Sequence, residues 1–440
     1  MEQAELVVRD AFPHGRHPAI RAVVAGLCAA LLGAACSGDT GPAVAPTTTA
    51  TTASPPTTAA TASTSPATTA RPTSTTTAPG PSDGFYVPSQ PLATTRPGAL
   101  LRSEPVDAGP GTRGWRILYV SQRATGEPVA VSGLVVVGAG AAPAGGRPVL
   151  SWAHGTTGLG DACAVSRQFT DGRSAERLLA PLVVGAGYAF VATDYEGLGP
   201  PGEHPYVMGR AEGRNVLDAV RAASALTGTG VTASSKVLVW GHSQGGGAAA
   251  WAAELQPAYA PELNLVGAAI GAPAAELRAL GEGLRTGRYS YFGLMTVSGI
   301  AAAYPDADPA KILTAKGSDL LGTIRSQCTD DISRTLRGLT TDDLLRVDPS
   351  RTAPWSEHLD ANTAGQAAPR APLFVYHGSS DDLIPPAISA ALAAKYCAMG
   401  ATVERKVFPG DHTSVIALAS GDLLRWFADR VRGVPANSTC

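Results

Sequence analysis

The sequence predicts an α/β domain built on a mostly parallel sheet of eight strands that is flanked by helices on both faces. Short runs of β-branched and apolar residues alternate with longer segments of helical periodicity, which is the first observation behind this prediction. The second is a hairpin turn at residues 124–128, between the first two runs. Strands joined through helices need crossovers and therefore lie parallel, whereas a tight turn makes the first two strands antiparallel.

The predicted strands occupy residues 115–121, 129–137, 149–153, 189–193, 237–240, 266–270, 373–376 and 405–408. Helical patterns fit between most of them. The clearest helix spans residues 210–226, where apolar side chains recur at a period near 3.6 residues. Its charged residues, Glu212 and Asp218 among them, are expected on the face exposed to solvent.

The regular alternation breaks between residues 274 and 372, in a stretch rich in Ala, Leu, Arg and Asp. Helices are expected there at residues 275–285, 309–315 and 318–324. The alternative is a second independent domain, but the strand pattern resumes only after this stretch. The sequence therefore predicts a helical cap inserted between the sixth and seventh strands.

The N-terminus has the pattern of a signal peptide. Residues 22–35 form an uncharged apolar run after Arg16 and Arg21, and this run is shorter than the ~20 residues that cross a bilayer. Residues 33–36, Gly-Ala-Ala-Cys, resemble a bacterial lipobox, although an aliphatic residue is usual where Gly33 stands. We expect residues 1–36 to be an export signal. Lipidation of Cys36 would attach the protein to a membrane, and ordinary cleavage nearby is the alternative.

Residues 37–82 consist almost entirely of Thr, Ala, Pro and Ser. Such a segment lacks the large apolar side chains that offset the entropy of ordering, so it predicts a disordered, extended stalk. The remaining residues, 83–440, are the predicted α/β domain with its cap. The protein is therefore expected to be secreted or to stand at the cell surface.

Charge and cysteine content exclude several function classes. Lys plus Arg total 34 against 36 for Asp plus Glu, without a basic stripe, so nucleic-acid binding has no support. Six cysteines include two in the signal region and four later ones, an even set that allows three disulfide pairings. No Cys-x-x-Cys pair is present, so a metal site is not expected. No organic cofactor is expected either. A monomer is the expected state.

Residues 241–245 have the sequence Gly-His-Ser-Gln-Gly, directly after a strand and before an Ala-rich helical run. Gly-x-Ser-x-Gly between a strand and a helix is a nucleophile elbow, in which a sharp turn exposes the serine hydroxyl. The turn leaves no room for side chains two residues to either side, which requires glycine at both places. Ser243 is therefore the candidate nucleophile.

A serine hydroxyl needs a base, and an acid must orient that base. In α/β-hydrolases the order along the chain is Ser, then Asp or Glu, then His. The loop after the seventh strand contains Asp381 and Asp382, and the pattern Gly-x-x-Asp-x-x-Ile-Pro favours Asp381 as the acid. Asp382 is the alternative. His412 follows the last strand and is the candidate base.

The oxyanion of an acyl-transfer intermediate needs two hydrogen-bond donors. One is expected to be the backbone N–H of Gln244, the residue after the nucleophile. The loop at residues 154–158, with Gly155 and Thr156, could provide the second. Asp194, after the following strand, is a further candidate.

Taken together, these motifs resemble the secretory lipase family of α/β-hydrolases. The resemblance rests on His-Gly-Thr-Thr-Gly at residues 154–158, Asp-Tyr-Glu-Gly at 194–197, the elbow, and Gly-Asp-His at 410–412. It implies an α/β-hydrolase fold and a triad of Ser243, Asp381 and His412. An oxyanion role for Asp194 is also implied, through its backbone N–H or as a protonated acid, since a carboxylate only accepts hydrogen bonds. The implied disulfides are Cys163–Cys328 and Cys397–Cys440.

The function expected from these features is that of an exported serine ester hydrolase. It would cleave carboxylic esters, in particular triacylglycerol-like lipids, through an acyl-enzyme on Ser243. A non-lipolytic short-chain carboxylesterase, or a hydrolase of another acyl donor, is the alternative, because a fold does not choose among substrates. A catalytically dead binding scaffold is a more remote one.

Overall fold

A computed structural model describes residues 84–440. Its sheet has the strand order β1-β2-β3-β5-β4-β6-β7-β8-β9. The strands are β1 (Leu100–Val106), β2 (Thr112–Gln122), β3 (Pro128–Gly138), β4 (Val149–Ala153), β5 (Ala189–Thr193), β6 (Lys236–His242), β7 (Asn264–Gly271), β8 (Leu373–Gly378) and β9 (Val403–Phe408). Strands β1 to β3 are antiparallel and β3 pairs antiparallel with β5, whereas every pairing from β5 to β9 is parallel. The mostly parallel sheet is thus confirmed.

Helices cover both faces of the sheet. Those of the core are α1 (Val165–Thr170), α2 (Glu176–Gly185), α3 (Gly209–Ala225), α4 (Gln244–Tyr259), α11 (Pro386–Ala398) and α12 (Ser414–Arg432). Alternate residues of β3 enter different core clusters, as the period of two in a strand requires. Val135 and Val137 pack with the layer of α3, α4 and α11, whereas Leu134 and Val136 pack with that of α1, α2 and α12.

The predicted helical cap is present between β7 and β8, which correspond to the sixth and seventh predicted strands. Its helices are α5 (Leu277–Gly283), α6 (Tyr291–Ala303), α7 (Ala315–Ile324), α8 (Thr329–Thr335), α9 (Thr341–Leu344) and α10 (Trp355–Ala361). Buried side chains of this insertion, such as Leu294 and Ile300, belong to the same core cluster as β2 to β4 and α3. The insertion therefore packs onto the sheet domain and shares its core.

The predicted count of eight strands is wrong by one, because the sequence pattern missed β1. This strand lies at the edge of the sheet and pairs with β2 alone. Its sequence, Leu-Leu-Arg-Ser-Glu-Pro-Val, has no buried residue and no alternation of apolar with polar side chains. An edge strand with both faces partly exposed lacks the periodic signal that identifies a half-buried strand.

Two charged residues of α3 are buried, which corrects the expectation that they face solvent. Glu212 and Asp218 are 1% and 0% exposed. Asp218 accepts hydrogen bonds from Ser121 and Tyr259, both at 2.7 Å, and pairs with Arg221 at 2.8 Å. Burying a carboxylate is tolerated when such partners replace its water.

The predicted signal peptide (1–36), with Cys36, and the predicted stalk (37–82) lie outside the described residues. Within residues 84–440, no helix is long and apolar enough to cross a membrane. The same part of the chain contains two disulfides, Cys163–Cys328 and Cys397–Cys440, as the family resemblance implied.

Candidate active site

Ser243 occupies a strained turn between β6 and α4. Its φ of 60° and ψ of −122° lie in a region that non-glycine residues rarely adopt. The turn is held from both sides: the Ser243 N–H donates to the Gly271 carbonyl at 3.0 Å, and the Ser243 carbonyl accepts from Ala274 N–H at 3.1 Å. A strained backbone conformation that neighbouring contacts hold in place is typical of functional sites.

The two glycines of the elbow are required by close backbone contacts. A Cβ on Gly241 would lie 1.9 Å from the Gly245 carbonyl oxygen, and a Cβ on Gly245 would lie 1.9 Å from that of Ala153. Both distances are far inside van der Waals contact, so a side chain at either place would push β4, β6 and α4 apart. The spacing of the motif follows from this packing.

Asp381 and His412 form a hydrogen-bonded pair. His412 Nδ1 lies 2.7 Å from Asp381 Oδ2, and the Asp381 side chain is fully buried. Asp381 Oδ1 accepts the N–H groups of Leu383 and Ile384, at 3.0 and 2.9 Å. These bonds fix the carboxylate within its loop and direct its second oxygen at the histidine.

A second histidine supports the ionised form of Asp381. The buried His377 Nε2 lies 3.1 Å from Asp381 Oδ2 and donates to the Ile384 carbonyl at 2.8 Å. Burial raises the pKa of Asp381, but hydrogen bonds with His377 and His412 outweigh burial and hold it well below its ordinary value. Asp381 is therefore a carboxylate at neutral pH, able to accept the Nδ1 proton of His412.

Asp382 points elsewhere. Its carboxylate pairs with Arg288 of the insertion, and its side chain is 50% exposed. The structure thus places Asp381, and not the alternative Asp382, against His412.

His242, inside the elbow motif, binds the backbone of the loop that carries His412. Its Nε2 donates to the His412 carbonyl at 2.8 Å, and the two rings lie 4.8 Å apart. Burial lowers the pKa of His242 to about 3, so it stays neutral. This contact brings His412 beside the elbow. Among residues 84–440 the Ser243 hydroxyl makes no hydrogen bond, and Ser243 itself is partly exposed.

Gln244, at the first position of α4, has a backbone N–H without an intrahelical acceptor. Its side chain is fixed by a buried network that the sequence did not indicate. Gln244 Nε2 donates to Glu212 at 2.7 Å and lies 3.2 Å from His204 Nε2. Burial raises the pKa of Glu212 to about 8 and lowers that of His204 to about 3.

The expectation that Asp194 supplies an oxyanion donor is not supported by the geometry. Its backbone N–H donates to the Ser132 carbonyl at 2.8 Å. Its buried carboxyl group accepts hydrogen bonds from Ser132 Oγ, at 2.6 Å, and from the Ser166 hydroxyl and N–H. Burial raises the pKa of Asp194, and these bonds oppose the shift. Both its N–H, as donor, and its carboxyl oxygens, as acceptors, are already used inside the protein.

The loop after β4 keeps free donors. The N–H groups of Gly155 and Thr156 have no acceptor within the described part of the chain. Gly155 also lies close to the elbow, since a Cβ there would be 3.6 Å from the His242 carbonyl oxygen. Of the candidates for the second donor, this loop has the unpaired N–H groups.

A cavity of about 290 Å³ opens from Ser243 and Gln244 into the insertion. Its wall beyond the serine is mainly apolar and comes from α5, the residue that follows α5, and α6, with Leu277, Leu280, Leu284, Phe292, Val297 and Ile300. Arg285, Asp342 and Asp348 provide charged lining. Within residues 84–440 no cluster of three or more His, Cys, Asp or Glu side chains is placed to hold a metal ion. An apolar cavity beside a strained serine suits a substrate with a hydrocarbon chain.

Comparison with known proteins points to one family. A family model described as secretory lipase matches residues 170–439. A protein named "Probable inactive lipase" from Mycobacterium tuberculosis is 29% identical, over 80% of this chain and 82% of its own length. A secreted triacylglycerol lipase from Malassezia globosa is 27% identical, over 80% of this chain and 78% of its own.

Solved structures confirm the α/β-hydrolase fold. Candida antarctica lipase A in its closed state superposes with a TM-score of 0.73 at 25% identity, covering 81% of this chain and 87% of that one. A mutant of the rice cell wall degrading esterase LipA from Xanthomonas oryzae superposes with a TM-score of 0.64 at 21% identity, over 77% of this chain and 99% of that one.

Proposed function

The chain belongs to the secretory lipase family of carboxylic ester hydrolases, and on that premise we propose that it is an exported serine hydrolase of lipid esters. Residues 83–440 are its catalytic domain, and Ser243 carries the acyl group. The observation that supports this most strongly is the Asp381–His412 pair, at 2.7 Å, beside a strained serine that lines an apolar cavity.

The reaction begins with attack of Ser243 on the ester carbonyl. His412 Nε2 removes the hydroxyl proton as the bond forms, and the two groups come into contact when substrate is bound. Asp381 keeps the other ring proton on Nδ1 and stabilises the imidazolium. The N–H of Gln244 and an N–H of Gly155 or Thr156 bind the oxyanion.

Collapse of the tetrahedral intermediate expels the alcohol, which takes its proton from His412. This leaves an acyl-enzyme on Ser243. His412 then removes a proton from water, and the water oxygen attacks the acyl carbonyl to form a second tetrahedral intermediate. When this intermediate collapses, the bond to Ser243 Oγ breaks, Ser243 takes the proton back from His412, and the free acid leaves. The net reaction is ester plus water to acid plus alcohol.

The acyl chain lies in the cavity under α5 and α6. Its apolar wall gives a hydrocarbon chain an environment that is worth about 0.8 kcal/mol per buried methylene. The Malassezia relative is named a secreted triacylglycerol lipase, which supports lipid esters as the substrate class.

Two alternatives have specific support. A relative is named as an inactive lipase, which favours a binding scaffold, but here Ser243, His412 and Asp381 are all present in their loops. A short-chain carboxylesterase, or a hydrolase of another acyl donor, uses the same residues. On the cavity wall Arg285 pairs with Asp342 and Asp348, and this polar region favours a substrate with a polar end.

Export is supported by relatives named as secreted lipases and by the two disulfides, which persist in oxidising compartments. We propose that residues 1–36 are the signal and that Cys36 is lipidated, with residues 37–82 as the stalk. Phase partitioning of the full chain and of Cys36→Ala in detergent tests this. If Cys36 is lipidated, the wild type enters the detergent phase and Cys36→Ala stays in the aqueous phase. A wild type that itself stays in the aqueous phase contradicts lipidation of Cys36.

Hydrolysis of p-nitrophenyl esters from acetate to palmitate, by the wild type and by Ser243→Ala, tests the catalytic proposal. We expect Ser243-dependent activity that is highest on long chains. A maximum at acetate or butyrate supports the short-chain alternative, and the absence of Ser243-dependent turnover on every ester supports the scaffold.

A further inference from the structure

The loop that carries Gly155 and Thr156 is bound to a segment of the helical insertion, residues 326–329. Thr329 donates twice to the loop, through N–H to the Thr157 carbonyl at 3.0 Å and through Oγ1 to the Thr156 carbonyl at 3.2 Å. Leu159 N–H donates in the other direction, to the Gln327 carbonyl at 3.0 Å. Two segments far apart in sequence thus pair in the manner of short antiparallel strands.

Two glycines, Gly158 and Gly160, allow the backbones of the two segments to approach each other closely. A Cβ on Gly158 would lie 2.5 Å from Cys328 Cα, and a Cβ on Gly160 would lie 2.5 Å from the carbonyl group of Ser326. A larger residue at either position would force the loop away from the insertion. The contact is therefore a backbone-to-backbone one that leaves no gap between the segments.

A covalent bond closes the same contact. Cys163, buried and just beyond the loop, is joined to Cys328, which directly precedes α8. The second disulfide, Cys397–Cys440, instead joins α11 to the C-terminal segment. The two bonds offer a natural comparison, because the first lies at the candidate oxyanion loop and the second lies outside the site described above.

We propose that this staple, the pairing of residues 157–160 with 326–329 and the Cys163–Cys328 bond, positions the second oxyanion donor. The inference rests on the proposed function of Ser243. The helical insertion thereby serves the chemical step as well as lining the acyl cavity. Its residues in the staple are positioning residues, since the donor itself is a backbone N–H of Gly155 or Thr156.

The physical reason is that an oxyanion donor acts through preorganisation. It must stand about 2.7–3.1 Å from the place where the charge develops, and removal of one donor from such a site costs about 100- to 1,000-fold in kcat. Apart from the insertion, the loop is held by Tyr195, whose hydroxyl donates to the His154 carbonyl at 3.1 Å, and by the bond of Thr156 Oγ1 with Tyr206 at 3.0 Å. Neither bond involves residues 157–160, which the staple holds. A loosened staple lets the loop drift, so we expect a partial loss, about 10- to 100-fold in kcat with little change in KM.

The test compares two double variants, Cys163→Ala/Cys328→Ala and Cys397→Ala/Cys440→Ala. Both lose one disulfide, and kcat is measured per active site titrated with a fluorophosphonate, so that unfolded protein does not count. We expect the first to lose 10- to 100-fold in kcat per site and the second to stay within about twofold of wild type. Equal values for both double variants overturn the inference.

Gly160→Ala tests the staple without touching a disulfide, in case the first double variant does not fold. Its control is Gly145→Ala, at an exposed position where a Cβ would meet nothing within 4 Å. A fall in kcat per site for Gly160→Ala alone supports the staple, and normal kcat for it contradicts the inference. If Ser243→Ala retains wild-type activity, the proposed function fails instead, which separates the two outcomes.

Discussion

Replacing Asp381 with Asn changes one atom of the candidate triad and reverses a hydrogen bond. The amide oxygen can still accept the N–H groups of Leu383 and Ile384, which bind Oδ1 in the wild type. The amide nitrogen then stands where Oδ2 lies 2.7 Å from His412 Nδ1. An NH₂ group cannot accept a hydrogen bond from Nδ1–H, so the variant favours the His412 tautomer that carries its proton on Nε2.

The size of the expected fall in kcat follows from the role of His412 Nε2. With Nε2 protonated, His412 cannot take the Ser243 proton, and the corresponding substitution in a serine protease lowers kcat by about 10⁴. That fall equals about 5.4 kcal/mol at 1.36 kcal/mol for each tenfold. The Asn side chain also faces His377 Nε2, which lies 3.1 Å from the carboxylate, and two donors meet there.

Asp382→Asn is the matched control. It makes the same change in the adjacent residue, whose carboxylate is 50% exposed and pairs with Arg288 at the surface. We expect kcat on p-nitrophenyl butyrate, normalised to titrated sites, to fall by about 10⁴ for Asp381→Asn and by less than about twofold for Asp382→Asn. Near-normal activity of Asp381→Asn, or an equal fall in both variants, would refute the assignment.

Two further predictions concern the pH dependence of the free energy of unfolding and the acyl-chain length of the substrate. Burial raises the pKa of Glu212 from 4.5 to about 8, so the folded state holds an extra proton between those values and stability falls as pH rises, by about 1.4 kcal/mol per pH unit. Glu212→Gln should flatten this decline in urea unfolding at pH 5 and 8, and an unchanged slope would contradict it. Leu284→Trp should fill the cavity and lower kcat/KM on palmitate at least tenfold, while acetate changes by about twofold or less. Leu178→Trp, at a residue 54% exposed on α2, is its control, and an equal loss on both esters would count against an acyl cavity.

The sequence predicted those parts of the site that local rules determine. A turn between strand and helix with glycine two residues to either side of a serine has one steric solution, seen in the contacts of Gly241 and Gly245. The order of the loops along the chain likewise placed Asp381 and His412 after successive strands. Local pattern and fold agree in these segments, so the elements could be predicted from the residues alone.

Other features depend on contacts between distant segments and have no local signal. Glu212 fits an exposed helical position by charge, yet Gln244 and the Val207 N–H replace its water. Asp194 has the residue type and loop position of a candidate donor, but its N–H is used in pairing with β3 at Ser132. Which donors remain free is decided by tertiary packing, as at Gly155, and a single sequence does not specify it.

The proposed mechanism requires Ser243 to be an activated nucleophile. The most direct test is to treat the wild type with a fluorophosphonate and to map the modified peptide by mass spectrometry. We expect one adduct per chain, on Ser243, and none on Ser243→Ala, whose esterase activity should fall on the order of 10⁶-fold. Labelling of another residue, or full ester turnover by Ser243→Ala, would contradict this mechanism.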